Sequence, residues 1–226
     1  MNKQIELLLN HQSIRKYADK EVTQETINTI IEVKDKEKRK LLSESAGGQK
    51  WVVSAPLVLL FCGDLYRGSK YYENIDQDIL SNTEQYTIAT VDAALAGQKA
   101  LIAAQTLGLG GVVVGGIRNE VELVSKEFKL PNLVFPIFLL CLGYPADDPG
   151  LKPRLPQGVI HKIDTYDETK DAILIGEYNK TVSAYYEERT NGETKDRWTE
   201  RCGKYLMAKP RYNVGEYFRK IGLLKR

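Results

Sequence analysis

Leu57-Val58-Leu59-Leu60-Phe61-Cys62 is a run of six apolar residues with no polar position to mark an outward face. A strand with one wet face alternates, so an unbroken run of this length predicts a strand covered on both sides. Val112-Val113-Val114 and the stretch Val134 to Cys141 have the same character. Between the first two runs, Thr83 to Leu107 predicts a long helix with seven alanines, expected to be central or at a subunit interface because small residues admit close neighbours. Gly108 is expected to close it. Asn119, with Glu122 three positions on, predicts an N-cap for a helix that turns Val121, Val124 and Phe128 inward. Buried strands interleaved with helices predict an α/β (α+β) layered fold.

The flanks are less regular. Ile5, Leu8 and Leu9 predict a short helix, and Thr23 predicts a cap for a second one carrying Ile27, Ile30 and Ile31 and ending near Glu32. Val33 to Lys40 is almost entirely charged and is expected to be a solvated break. Leu174, Tyr178, Val182 and Tyr185 trace a helical stripe that Thr190-Asn191-Gly192 interrupts. The chain reads as a single domain over 1–226, in which 187–226 is a C-terminal extension with eleven Lys/Arg against six Asp/Glu.

Composition removes several function classes. Of the 226 residues 42% are hydrophobic, enough for a sizeable core. Lys+Arg 32 against Asp+Glu 30 leaves +2, which argues against a general nucleic-acid binder. Two histidines and three cysteines, none at ligand spacing, argue against a metal centre, and no GxSxG elbow is present. Cys62 and Cys141 lie in apolar runs, as expected of reduced, buried thiols in a cytoplasmic protein. Met1 to Asn10 is too short for a signal-peptide core, and Pro131, Asn132 and Pro136 interrupt the longest apolar stretch, so no membrane association is expected.

Three segments could carry chemistry. His11-Gln12-Ser13-Ile14-Arg15 places a hydroxyl and a guanidinium two residues apart, suited to different parts of one anionic ligand or simply to a surface turn. Gly108 to Asn119 lets backbone approach a flat ring or a phosphate, although it lacks the spacing of a dinucleotide fingerprint or a P-loop. It reads equally as a cap followed by a turn. Lys152-Pro153-Arg154-Leu155-Pro156 holds two cations on stiff backbone, either toward a phosphate or in a solvated connector. With so few titratable candidates, an enzyme of this sequence is expected to borrow its reactive group from a cofactor.

Taken in order, His11 to Arg15, Gly47-Gly48-Gln49-Lys50, the Asp92-Ala93-Ala94 helix, Val113 to Asn119 and Lys152 to Pro156 resemble the FMN-dependent, oxygen-insensitive NADPH nitroreductases and flavin reductases. The likeness continues through Tyr185-Tyr186 and Arg189 to Gly192. It implies a nitroreductase-like mixed central sheet wrapped by helices, in an intertwined homodimer whose extension packs on the partner subunit. It implies that Arg15, Lys152 and Arg154, with Pro153, hold the FMN phosphate, and that Ser13 and Gln49 bond the polar edge of the flavin. Val113, Val114, Gly115 and Gly116 would lie along the ring, and His11, Gln12 and Ile14 would belong to the same cofactor run. The implied reaction is ping-pong. NADPH or NADH delivers hydride and leaves before a flat oxidant (a nitroaromatic, quinone or free flavin) takes the electrons, with no side chain named as acid or base. Arg189, Lys195 and Arg197 would meet the nicotinamide cofactor, although Thr194 stands where relatives often carry a second arginine. A non-catalytic flavin or nucleotide binder is the alternative. One departure stands out. The family carries a hydroxyl-rich loop and a strand where Ile31-Glu32 here runs directly into Val33, and loss of a strand from a single core is expected to be very costly.

Overall fold

Adjacent residues of an extended chain point to opposite faces, so an uninterrupted apolar strand needs a core on each side. The computed structural model, which describes residues 10–20 and 31–225, shows that arrangement. In chain order its elements are β1 (Ile31–Glu32), α1 (Lys36–Ser45), α2 (Trp51–Ser54), β2 (Leu57–Asp64), α3 (Tyr66–Tyr71), α4 (Thr83–Thr106), β3 (Gly110–Val114), α5 (Val121–Glu127), β4 (Val134–Gly143), α6 (Gln157–Ile160), α7 (Asp171–Arg189), α8 (Trp198–Ala208) and α9 (Tyr212–Lys220). Short 3-10 turns lie at Ile79–Ser81 and Gly115–Glu120. The readings at Ile5, Leu8, Leu9, Thr23, Ile27 and Ile30 lie outside the described residues.

The strands are ordered β1-β2-β4-β3, and each of the three ladders is antiparallel. The sheet gains its one parallel element, among the described residues, from an isolated bridge between Ser13 and Gly111. Val58, Leu60, Val112, Val114, Leu139 and Cys141 form one face, packed with Val33, Leu42, Ile117 and Val124. Leu57, Leu59, Phe61, Leu140 and Leu142 form the other, against Leu101 and Ala104 of α4. Phe61 and Phe138 stack there at 4.9 Å between ring centroids. The register shifts between Phe61 and Cys62, where Pro136 lies opposite Cys62. Proline cannot donate to a ladder and is tolerated at such a bulge.

Two local readings are corrected. Ile31 and Glu32 do not end a helix but pair with Leu60 and Leu59. The open edge of β2 offers backbone partners that a helix end lacks, and Ile31 is β-branched. The sheet therefore has an edge strand at this junction, and Val33, 2% exposed, continues from it into the core. The charged run beyond is helix α1 rather than a solvated break. The Asp35 side chain accepts from the Lys38 N–H at 3.0 Å as its N-cap. Lysine, glutamate and arginine are also good helix formers. Arg39 turns inward, donating to the carbonyls of Val33 at 2.6 Å, Ala55 at 2.6 Å and Pro56 at 3.1 Å.

A third correction concerns Asn119, which caps no helix. Its amide donates to the Ser45 carbonyl at 3.0 Å and accepts from Arg211 at 2.7 Å, so the chain enters α5 from the 3-10 turn instead. Val121 and Val124 are buried as expected, and Phe128 is half-buried.

The chain divides into two compact units. One runs to Pro149 and resumes at Arg211, and the other is Gly150–Pro210. The positively charged extension is therefore divided. Tyr217, Phe218, Ile221 and Leu223 around α9 join Val121 and Phe135 in the core of the first unit. In the second unit, α7 and α8 are tied by Asn179 and Thr199 at 3.1 Å, and by Tyr178 meeting Trp198 edge-on at 5.8 Å. Its one buried hydrophobic side chain among the described residues is Val182, 5% exposed. No helix among the described residues is long and apolar enough to cross a membrane.

Burial pushes the thiols of Cys62 and Cys141 up to about 12, with Asp64 adding to the shift at Cys62. Both stay protonated well above neutral pH. At pH 8 neither is expected to react with an aromatic disulfide in the folded chain, and both should react in guanidinium, as read by peptide mass. Arg39→Ala strands three carbonyls. It should cost about 2–4 kcal/mol in urea unfolding, and Arg39→Lys less, because one ammonium cannot reach all three.

Candidate functional site

The free edge of β3 organises the expected site residues of the first unit. The Ile14 N–H donates to the Gly111 carbonyl at 3.0 Å, beside the bridge from Ser13. This lays residues 13 and 14 along the strand. The Ile14 side chain, 5% exposed, passes so close to Gly110 that a Cβ there would lie 2.3 Å from its Cγ1. Glycine is required at that position by the protein's own packing. Tyr17 anchors the far end of the segment, its hydroxyl donating to the Ile14 carbonyl at 3.1 Å or the Cys141 carbonyl at 3.3 Å. Burial drives the Tyr17 pKa up, with Cys141 adding to the shift, so it remains a neutral donor. At the near end, His11 Nδ1 meets the Gln105 amide of α4 at 2.6 Å.

The Gly47-Gly48-Gln49-Lys50 turn reaches the same place from the opposite sheet face. Gln49 is clamped, its amide donating to the Ala46 carbonyl at 2.9 Å while its own carbonyl accepts from Ser43 at 2.9 Å. A Cβ on Gly116 would lie 2.9 Å from the Ala46 carbonyl oxygen and 3.0 Å from Gln49 Nε2. The glycines at the end of β3 thus admit this turn. Val113 shares the α4 face with Leu140, its register partner, yet is 52% exposed, whereas Val112 and Val114 are buried. An apolar patch of strand is left open beside Gly115.

Two buried polar groups on the segments that meet the β3 edge have no hydrogen-bond partner among the described residues. Gln12 Oε1 and Trp51 Nε1 are buried without a hydrogen bond. Arg15 makes no ion pair among the described residues, and its guanidinium lies 5.3 Å from the Trp51 ring centroid. Buried polar atoms without partners are rare and need an explanation. An acceptor at Gln12, a donor at Trp51, a cation at Arg15 and an open apolar strand suit a flat, phosphorylated heterocycle with a polar edge. The residues present therefore fit FMN. Trp51 was not picked out from the sequence. Its only signal there was an aromatic residue directly after Gln49-Lys50.

The remaining expected residues belong to the second unit. Lys152 and Pro153 line a cleft of about 560 Å³ together with Tyr178, Tyr186, Trp198 and Arg201. Pro153 is fixed by the Tyr178 hydroxyl, which donates to its carbonyl at 3.0 Å. Arg154 is exposed beside it. The three cations expected to meet a nicotinamide cofactor all have local partners. Arg189 donates to the Tyr185 hydroxyl, Lys195 pairs with Glu187 at 2.6 Å, and Arg197 pairs with Glu200 at 2.5 Å at the start of α8. These contacts are exposed, so each yields readily to a stronger anion. Arg201, passed over in the sequence, lies 4.3 Å from the Tyr186 ring centroid and pairs with Asp196 at 3.1 Å. Among the described residues no cluster of three His, Cys, Asp or Glu could hold a metal ion.

Comparison with known proteins gives the arrangement its context. The nitroreductase family matches residues 32–144, and the nitroreductase family C-terminal domain matches residues 152–226. An FMN reductase (NADPH) of Bacillus subtilis is 36% identical over 248 aligned positions, covering 100% of both chains. Because this chain has 226 residues, part of that alignment has no counterpart here. An oxygen-insensitive NADPH nitroreductase of Salmonella typhimurium is 37% identical over 240 positions and 98% of each chain. The solved structure of NfrA1 nitroreductase from B. subtilis superposes with a TM-score of 0.94 at 36% identity, over 99% of this chain and 100% of the other. With both family segments matched and full-length relatives above a third identical, the chain belongs to the nitroreductase family.

Proposed function

We propose that this chain is an NAD(P)H-dependent oxidoreductase that carries FMN and reduces nitroaromatics, quinones or free flavin by a ping-pong hydride mechanism. The observations that carry the reading, in a chain of this family, are the exposed Val113 on β3, the buried Gln12 Oε1 and Trp51 Nε1 without hydrogen-bond partners among the described residues, and the Arg15 guanidinium held on the Trp51 ring. FMN supplies the two-electron redox chemistry when bound, and the chain's residues bind, orient and leave one face accessible. In the first unit we assign His11, Gln12, Ser13 and Gln49 to the polar edge of the ring, Val113 to Gly116 and Ile14 to its support, and Arg15 to the phosphate. In the second unit we assign Lys152, Pro153 and Arg154 to a phosphate-holding run, and Arg189, Lys195 and Arg197 to the nicotinamide cofactor. The reading places the activity in the cytoplasm, where reduced nicotinamide cofactor and free thiols are maintained.

It also includes a second copy of the chain. Ile88, Val91 and Leu95, which are 42%, 49% and 56% exposed, form an apolar stripe on α4 opposite its buried Ala89, Ala93 and Gly97. The second unit, with Val182 as its one buried hydrophobic residue among those described, has too little core to hold itself together without further cover. A homodimer in which 150–210 forms part of the interface would bury both surfaces.

An anaerobic titration of the purified chain with NADPH tests the activity. The visible flavin band should bleach and return when menadione is added. A flavin that stays oxidised leaves only a binder, and a colourless chain that takes up no FMN removes the reading. Arg189→Ala should raise KM for NADPH about tenfold with unchanged FMN content. Light scattering should give the mass of two chains, and Leu95→Glu should shift it toward one. A monomeric wild type refutes the dimer.

A further inference from the structure

Arg15 and Trp51 meet in the first unit, and the geometry between them has a consequence for binding. The guanidinium carbon of Arg15 lies 5.3 Å from the Trp51 ring centroid, inside the range of a cation–π contact. Arg15 is exposed and makes no ion pair among the described residues, so the indole face is what restrains it. Trp51 is itself held firmly. It opens α2 two residues after the clamped Gln49, its carbonyl accepts from the Ala55 N–H at 3.0 Å, and its ring packs against the core that includes Leu42, Ala46 and Val52. Its indole N–H is buried without an acceptor. An unrestrained arginine loses much rotamer freedom when it closes on a phosphate, and that loss lowers affinity. A guanidinium already seated on a fixed aromatic face loses less, and it still presents its edge donors for bidentate contact.

We propose that Trp51 is a positioning residue for the cofactor phosphate, acting through Arg15. The inference rests on the FMN reading above and gives Trp51 a role that reading leaves unassigned. Trp51 preorganises Arg15, and its influence is confined to ligands that carry the phosphate Arg15 recognises.

The test is a titration of the full chain, freed of flavin, with FMN and separately with riboflavin, read by quenching of flavin fluorescence. Trp51→Leu should weaken FMN roughly two- to fivefold, the value of an exposed cation–π contact expressed as affinity. It should leave riboflavin unchanged, and it should have almost no effect on FMN once Arg15→Ala is present. Trp51→Phe, which keeps a ring face, should bind FMN more tightly than Trp51→Leu. If Trp51→Leu unfolds the chain, the same comparison is made with Trp51→Phe in both Arg15 backgrounds. The proposal is overturned if the Trp51 variants weaken FMN equally with and without Arg15, weaken riboflavin as much as FMN, or change neither. These results differ from failure of the functional reading, in which the wild-type chain binds no FMN at all. They differ also from failure of the Arg15 assignment alone, in which FMN binds the wild type and Arg15→Ala equally well.

Discussion

The pairing of β2 with β4 is the constraint on which the first unit depends. Leu57 opposite Leu142 through Phe61 opposite Phe138 fixes one register, and that register sorts the apolar side chains of the paired stretch between two cores. A slip of one residue would exchange the faces and set Leu140 against the helices meant for Leu139 and Cys141. The remaining strands are placed by this pair, β1 on the outer edge of β2 and β3 on that of β4. The Pro136 bulge lies beyond the tightly paired stretch, where losing one ladder donor disturbs little.

The candidate site is a product of the sheet's edge. An edge strand has backbone groups to offer, and β3 gives one to Ile14 while the Gly47–Gln49 turn closes on Gly116. The two approaches take up Gly110 and Gly116 in packing. What remains open is the side chain of Val113, 52% exposed, so the stretch presents an apolar surface. The polar atoms left over at Gln12 and Trp51 are costly in a folded protein unless something answers them.

The second unit follows a different logic. Its helices are joined by polar ties and ion pairs at the surface, among them Asn179 with Thr199 and Lys195 with Glu187, and such contacts contribute little stability in water. Its cleft, with tyrosines, a tryptophan and cations, is suited to a planar anionic ligand. A region so poor in buried apolar area draws little stability from a core of its own.

The buried strands at 57–62, 112–114 and 134–141, the long alanine-rich helix and the ordered motifs of the family were all legible in the chain by itself. Apolar runs and helical periodicity are local properties that survive without knowledge of neighbours. The tertiary structure alone decided that Ile31-Glu32 is a strand, because only an adjacent open edge at β2 makes it one. It decided that Arg39, in a run of charges that reads as solvated, reaches inward to three carbonyls. It decided that Asn119 bonds Ser45 and Arg211 instead of capping α5, and that Trp51 seats Arg15. Each of these depends on groups far apart in sequence brought within a few ångströms, and no spacing along the chain records such a meeting.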